Sequence, residues 1–247
     1  MKKTDGRYSR QLVMPELGFK AQEKLGKSSV LVVGAGGLGS PVIAYLAAAG
    51  VGKIVIAEKD RLEISNLNRQ ILYKTSELGK GKAALAAKFA SALNPSVKTE
   101  VFDEFAGYEE LLALSKKAGL IMDCSDNFET RFNINRACFE NGKTYVFAAV
   151  YRFEGQVAVL NPRKGACLKC FCGAADACYR DSGGAGILGS VAGATGAMAA
   201  CEAVKTLCGF GNLENKMAVF DFKNNSSVSI NLKKDRDCPV CASKRRG

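Results

Sequence analysis

The run SSVLVVGAGGLGS, residues 28–40, constrains the fold more than any other part of this 247-residue chain. Consecutive valine and leucine residues make a strand buried on both faces, and Gly34, Gly36 and Gly39 follow as G-x-G-x-x-G where a helix begins. Glycine has no Cβ, so the backbone N–H groups of such a loop can approach a phosphate, and the helix start adds its positive dipole end. LGSPVIAYLAAAGVG continues as a helix of small residues closed by glycine, and KIVIAEKD is the next strand. Glu58, where that strand ends, is placed to bind ribose hydroxyls. The motif alone does not separate NAD from ATP.

The pattern then alternates. A helix over 82–93 is stopped by Asn94 and Pro95, and a strand near 97–102, a helix near 109–117, the strand GLIMDCSD and the helix NFETRFNINRACFENG follow. This alternation predicts an α/β fold, a doubly wound, Rossmann-like and mainly parallel sheet. Beyond it, TYVFAAVYRFEGQVAVL, KMAVFDFK and SSVSINLK are closely spaced strands, which predicts antiparallel pairs extending the same sheet around a long helix over 187–208. The stretch 173–186 is small, polar and glycine-rich, the composition of a mobile loop.

Composition narrows the chemistry. There is no histidine, which excludes any imidazole base and every serine or cysteine triad that uses one. The formal net charge of +11 favours an anionic partner without naming it. No run of about 18 apolar residues occurs, and no apolar stretch follows the basic start MKKTDGRYSRQ, so the expectation is a cytoplasmic protein without a membrane span. Ten cysteines in a reducing compartment then point to metal, thiol chemistry or burial rather than disulfides.

Three residues behind the glycine loop fit a triphosphate. Arg69, flanked by Asn66 and Gln70, offers a planar fork for phosphate oxygens, and Lys82 in GKGKA adds a cation at a helix start. Asp126 in DCSDN, at a strand's carboxyl end, is a hard oxygen ligand for Mg²⁺. Taken singly, such lysines and aspartates also occur as solvated or capping residues; hydride transfer requires none of the three. CLKC and CPVC are two C-x-x-C knuckles, and Cys167, Cys170, Cys238 and Cys241 together make a closed set of four thiolates for structural zinc, with Cys172 as an alternative ligand. Cys124, Cys138, Cys201 and Cys208 sit on apolar elements and are expected to be buried. Cys178, beside Arg180 in the glycine-rich loop, is either a nucleophile with a lowered pKa or an incidental thiol.

RYSRQ, VLVVGAGGLGS, SNLNRQILY, GKGKA, DCSDN, the paired knuckles and GILGSVAGATGAMAACEAVK together resemble the ThiF/MoeB/HesA family, bacterial relatives of ubiquitin-activating enzymes, over most of the chain. The resemblance implies a nucleotidyltransferase that uses ATP and Mg²⁺ to adenylate the C-terminal glycine of a ubiquitin-like sulfur carrier in thiamine or molybdopterin biosynthesis. It implies that Gly37 contacts the nucleotide, that Asn66, Arg69 and Lys82 bind its phosphates, and that Asn127 lines the site beside Asp126. It also implies a homodimer in which Arg10 reaches the neighbouring subunit's site. On this reading, residues 1–247 form one adenylation domain, with a nucleotide part over about 28–150 and a carrier and zinc part over about 151–247. Two departures stand out: Glu58 replaces the family's usual aspartate, and Ser182 stands where its reactive loop cysteine is usually found, with Cys178 upstream. The alternatives are a tRNA-modifying dehydratase that adenylates a carboxylate, against which the paired knuckles speak, and a non-catalytic zinc-stabilised adaptor for a ubiquitin-like partner.

Overall fold

The computed structural model describes residues 6–172 and 186–242. After a 3₁₀ turn at Gly6–Tyr8, the chain forms α1 (Ser9–Leu12), α2 (Gly18–Lys27), β1 (Ser29–Val33), α3 (Gly39–Ala49) and β2 (Lys53–Ala57). Two further 3₁₀ turns, Ile64–Asn66 and Thr75–Glu77, lead to α4 (Lys82–Leu93), β3 (Lys98–Phe102), α5 (Tyr108–Lys117), β4 (Leu120–Asp123) and α6 (Phe128–Asn141). The hairpin β5 (Tyr145–Tyr151) and β6 (Glu154–Leu160), α7 (Leu168–Phe171), the long α8 (Gly189–Cys208), β7 (Lys216–Asp221) and β8 (Ser226–Asn231) complete it.

All eight strands join one sheet in the order β3-β2-β1-β4-β5-β6-β7-β8. The pairs from β3 through β5 are parallel and those from β5 through β8 antiparallel, as the sequence pattern predicts. Side chains alternate across the sheet with period two. Val30 and Val32 face a core shared with α3, α4 and α8, while Leu31 and Val33 face one shared with α5 and α6. Burial on both faces is why β1 and β4 read as unbroken apolar runs. Strand order reverses between β1 and β4, so the loops leaving these neighbours open a crevice at their carboxyl ends.

No helix before residue 28 was legible in the pattern, yet α2 forms there. It buries one narrow face, Ala21, Gln22 and Leu25, and Gln22 Nε2 donates to Ala49 O (2.9 Å), capping the end of α3. Cys124 and Cys138 are buried as expected and Cys208 is half-buried, but Cys201 is exposed. The small residues of α8 make it look apolar all round, whereas Ser190, Ala194 and Cys201 lie on one helical face that meets solvent. Among the described residues, no helix is long and apolar enough to cross a membrane. The expected mobile stretch lies, apart from Gly186, outside the described residues, as do Cys178 and Ser182.

Two glycines of the loop after β1 are required by geometry. Gly34 has φ of 94°, and a Cβ there would come within 2.6 Å of Cys124 O; a Cβ on Gly39 would fall on the Gly34 carbonyl oxygen. Gly193 on α8 has no atom within 4 Å of an added Cβ. Denaturant titration should therefore find Gly39→Ala destabilised by about 2 kcal/mol or more, and Gly193→Ala stabilised by about 0.5–1 kcal/mol.

Candidate active site

The crevice is built from three loops that touch. In the first, the glycine loop, Ala35 is fixed on both sides: its N–H donates to Glu58 Oε2 (3.0 Å) and its carbonyl accepts from Tyr73 Oη (2.7 Å). Burial, with the charges of Glu58 and Glu77, pushes the Tyr73 hydroxyl far up, so it remains a donor. Glu58 Oε1 also accepts from the Asp60 N–H (2.9 Å). Glu58 thus ties the loop to the end of β2.

Lys82, at the start of α4, is nearly buried, with a side chain 5% exposed. Its ammonium sits 3.2 Å from Asp60 Oδ2 and 3.7 Å from Glu58 Oε2. A buried ammonium needs such compensation. Lys82 therefore does not point alone into the crevice, and Asp60, which the sequence reading did not single out, is part of its site.

The second loop is the ISNLNRQ segment. Asn66 Oδ1 accepts from the Glu63 N–H (3.1 Å) and so caps the 3₁₀ turn Ile64–Asn66. That turn delivers Arg69, whose Nη1 donates to Ser65 O (2.9 Å) and Asn68 Oδ1 (3.0 Å). A Cβ on Gly37 would come 3.3 Å from Arg69 Cγ, so the arginine stem lies directly over the glycine loop.

The third loop follows β4. Asp123 is fully buried and its Oδ1 accepts from Ser125 N (3.2 Å) and Ser125 Oγ (2.6 Å). Burial pushes its carboxyl up, and the nearby Arg131 guanidinium opposes that. Arg131 Nη2 donates to Ser125 O (2.9 Å), with its guanidinium 5.5 Å and 5.0 Å from the ring centres of Phe128 and Phe147. The bracing holds Ser125, and the next residue, Asp126, reaches the surface. Asn127 Oδ1 caps α6 by accepting from Thr130 N (2.9 Å), while its Nδ2 donates to Asp126 Oδ1 (3.3 Å).

Among the described residues, two cavities open on these loops. A cleft of about 120 Å³ is lined by Gly34, Gly36, Glu58, Lys82, Phe105 and Asn127, among others. A cavity of about 490 Å³ is lined by Gly37, Arg69, Gln70, Arg131, Arg152 and Ile187, among others. Cys124 and Asp126 line both, so the two spaces meet at the end of β4. Three arginines beside one aspartate among the described lining residues make the larger cavity suited to anions. The structure thus brings together Gly34, Gly36, Gly37, Glu58, Arg69, Lys82, Asp126 and Asn127. Asn66 shapes the turn behind them, and Gly39 packs beneath the loop. Arg10, on exposed α1, lines neither cavity. Tyr73, Phe105 and Arg131 escaped the sequence reading. Only Arg131 left a periodic trace, four residues after the Asn127 cap on the same helix.

Away from the crevice, the Sγ atoms of Cys167, Cys170, Cys238 and Cys241 all lie within 4.8 Å of one another. The sulfur separations are 3.6 Å for Cys167–Cys238, 3.8 Å for Cys167–Cys170 and 3.3 Å for Cys170–Cys241. Sulfurs about 2.3 Å from a tetrahedral ion stand about 3.8 Å apart, so the set fits a closed metal site. Burial and the Cys170 charge push the Cys167 thiol up to about 12. Burial acts the same way on Cys238, but hydrogen bonds from the Cys241 and Val240 N–H groups and the Cys167 and Cys241 thiols together lower that thiol. Four thiolates this close ionise together only around a cation. Cys172 is buried in the apolar layer with Leu168 rather than in this set.

The fold and site define a nucleotide-binding α/β protein of the doubly wound type, with an anion-binding crevice at the switch point and a four-cysteine cluster. Residues 8–240 match the ThiF family model, and the chain belongs to that family. It is 40% identical to the sulfur carrier protein adenylyltransferase of Thermus thermophilus, over 95% of this chain and 90% of that protein. It is 35% identical to the sulfur carrier protein ThiS adenylyltransferase of Escherichia coli, over 95% of this chain and 94% of that one. The fold matches Escherichia coli MccB in a crystal structure with MccA-N7isoASN at a TM-score of 0.85 and 22% identity, over 96% of this chain and 75% of that one.

Removing the metal that this cluster fits should unfold the part it closes. A strong chelator, or Cys241→Ser, should lower the thermal midpoint by at least about 10 °C, with metal loss read by atomic emission. An unchanged midpoint would remove the cluster's structural role.

Proposed function

We propose that the chain is a sulfur-carrier adenylyltransferase. It transfers AMP from ATP to the C-terminal glycine carboxylate of a ubiquitin-like carrier with a diglycine tail, releasing pyrophosphate, in thiamine or molybdopterin biosynthesis. The observation that carries this reading is the meeting of two cavities at Asp126, one on the glycine loop beside Glu58 and Lys82 and one lined by Arg69, Arg131 and Arg152. The names and identities of the relatives support it.

In this reading the smaller cleft takes the nucleoside. Glu58 accepts from ribose hydroxyls, Phe105 flanks the base, and the N–H groups of Gly36 and Gly37 meet the phosphates. Arg69 and Lys82 neutralise phosphate charge, and Lys82 is held for this by Glu58 and Asp60. Asp126, steadied by Asn127, is the oxygen ligand for Mg²⁺, which when bound supplies charge neutralisation at the phosphates. The carrier's terminal carboxylate enters from the larger cavity and attacks the α-phosphorus. The new C–O–P bond forms as the bond to the β-phosphate's bridging oxygen breaks, and that oxygen leaves with pyrophosphate.

No base is needed. A terminal carboxylate, with a pKa of about 3.3–3.7, is already ionised at neutral pH, which agrees with a chain lacking histidine. Catalysis is then positioning and charge stabilisation. Zinc is the metal proposed for the cysteine cluster, as a structural ion. The nucleotide part over about 28–150 and the carrier and zinc part over about 151–247 divide the two substrates. A homodimer is proposed, with Arg10 of each subunit serving the other's site.

Arg69→Ala and Asp126→Ala should each lower carrier-dependent exchange of pyrophosphate into ATP by about 10²-fold or more, because each removes charge stabilisation at the reacting phosphate. Exchange at the wild-type rate in both variants would refute the assignment.

A further inference from the structure

Three non-glycine residues among those described have positive φ: Asn215 at 58°, Asn225 at 52° and Arg152 at 52°. Asparagine visits the left-handed region readily because its short side chain bonds its own backbone. Arginine has no such compensation, and its Cβ crowds the following carbonyl. Arg152 opens the two-residue loop between β5 and β6, where Tyr151 pairs with Glu154. Glycine is the usual residue at that place in such hairpins when φ is positive.

The surrounding structure holds this conformation from several sides. Arg152 forms a bridge to Ile187, and the Phe222 N–H donates to Phe153 O (2.9 Å). Gly155, one residue into β6, lies so close to α8 that an added Cβ would fall on Thr195 Oγ1. Strain that is over-determined in this way concentrates at binding and catalytic sites. Arg152 is exposed and is one of the residues lining the larger cavity, on the wall made by the hairpin and Ile187. Its guanidinium lies 5.4 Å from the Tyr151 ring centre.

On the proposed adenylation, the phosphates already have Arg69, Lys82 and a metal. The other substrate ends in glycines, which present no side chains, so only their backbone can be read. Building on that reading, we infer that Arg152 is a specificity-determining residue for the carrier tail. Its planar fork of donors binds the carbonyl oxygens of the terminal glycines and so holds the tail in the larger cavity, with its carboxylate facing the α-phosphate. The over-determined backbone fixes where the exposed Arg152 side chain leaves the hairpin, so less is left to order when the tail arrives.

The test compares the full-length wild type with Arg152→Gly and Arg152→Lys. The probe is ThiS, or the molybdopterin-pathway carrier if that one supports exchange. Glycine suits the backbone at this position, so the thermal midpoint of Arg152→Gly is expected at or above that of the wild type. In pyrophosphate exchange, KM for the carrier should rise about tenfold in Arg152→Gly, the worth of one charge-assisted hydrogen bond. KM for ATP should stay unchanged. Arg152→Lys, which keeps the charge but loses the fork, should fall between. An unchanged carrier KM in Arg152→Gly, or an equal rise in KM for ATP, would overturn the inference. Calorimetric titration of the same carrier separates the two readings. Tenfold weaker binding to Arg152→Gly supports the role of Arg152 even if the wild type shows no exchange, which would defeat adenylation alone; equal binding by wild type and variant defeats the role of Arg152.

Discussion

Ala35 has both of its backbone polar groups tied to side chains, the N–H to Glu58 and the carbonyl to Tyr73. Everything in the crevice is placed relative to that anchor. Glu58 connects it to the end of β2 and to Lys82, and Tyr73 connects it to the segment that carries Arg69. Gly34, a residue earlier, touches the Cys124 carbonyl, which fixes the distance to the loop bearing Asp126. A backbone turn with no side chain in its way thus has the shape to receive an anion, and the charged residues around it are held by side chains that are themselves buried or capped.

The frame was legible because it rests on local chemistry. Unbroken apolar strands, the G-x-G-x-x-G turn, and Asn94 with Pro95 at the end of α4 are short-range signals, and the bounds of α4 at Lys82–Leu93 coincide with those read from the sequence. The cysteine cluster was legible for a similar reason, since paired knuckles carry their geometry with them. What stayed hidden depends on distant segments meeting. Tyr73 looks like an ordinary core residue until Ala35 is beside it, and Asp60 like a solvated acid until Lys82 reaches it. Arg131 reads as helix surface, yet it is buried against Asp123 and two phenyl rings. For Cys201 the small residues of α8 hid which face meets solvent.

The two ends of the described chain are secured differently. At the start, α2 buries a narrow face and caps α3 through Gln22. At the finish, Cys238 and Cys241 meet Cys167 and Cys170 across a long separation in sequence, with Phe139 of α6 packed against them. A closed metal site there would hold the final segment to the body of the protein without any part in the chemistry, leaving the crevice to Arg69, Lys82 and Asp126. The strained Arg152 fits the same division. On the proposed adenylation, the glycine loop would serve one substrate and the hairpin between β5 and β6 the other.

Adenylation of a carrier tail is tested most directly by ATP–pyrophosphate exchange with the purified wild type, Mg²⁺ and diglycine-ended carriers of the thiamine and molybdopterin pathways, each also supplied without its last two residues. Exchange that requires one intact carrier and disappears with its truncated form is the expected result, and it names the pathway. Exchange that is indifferent to the tail, or absent with both intact carriers while ATP binds, would contradict the assignment.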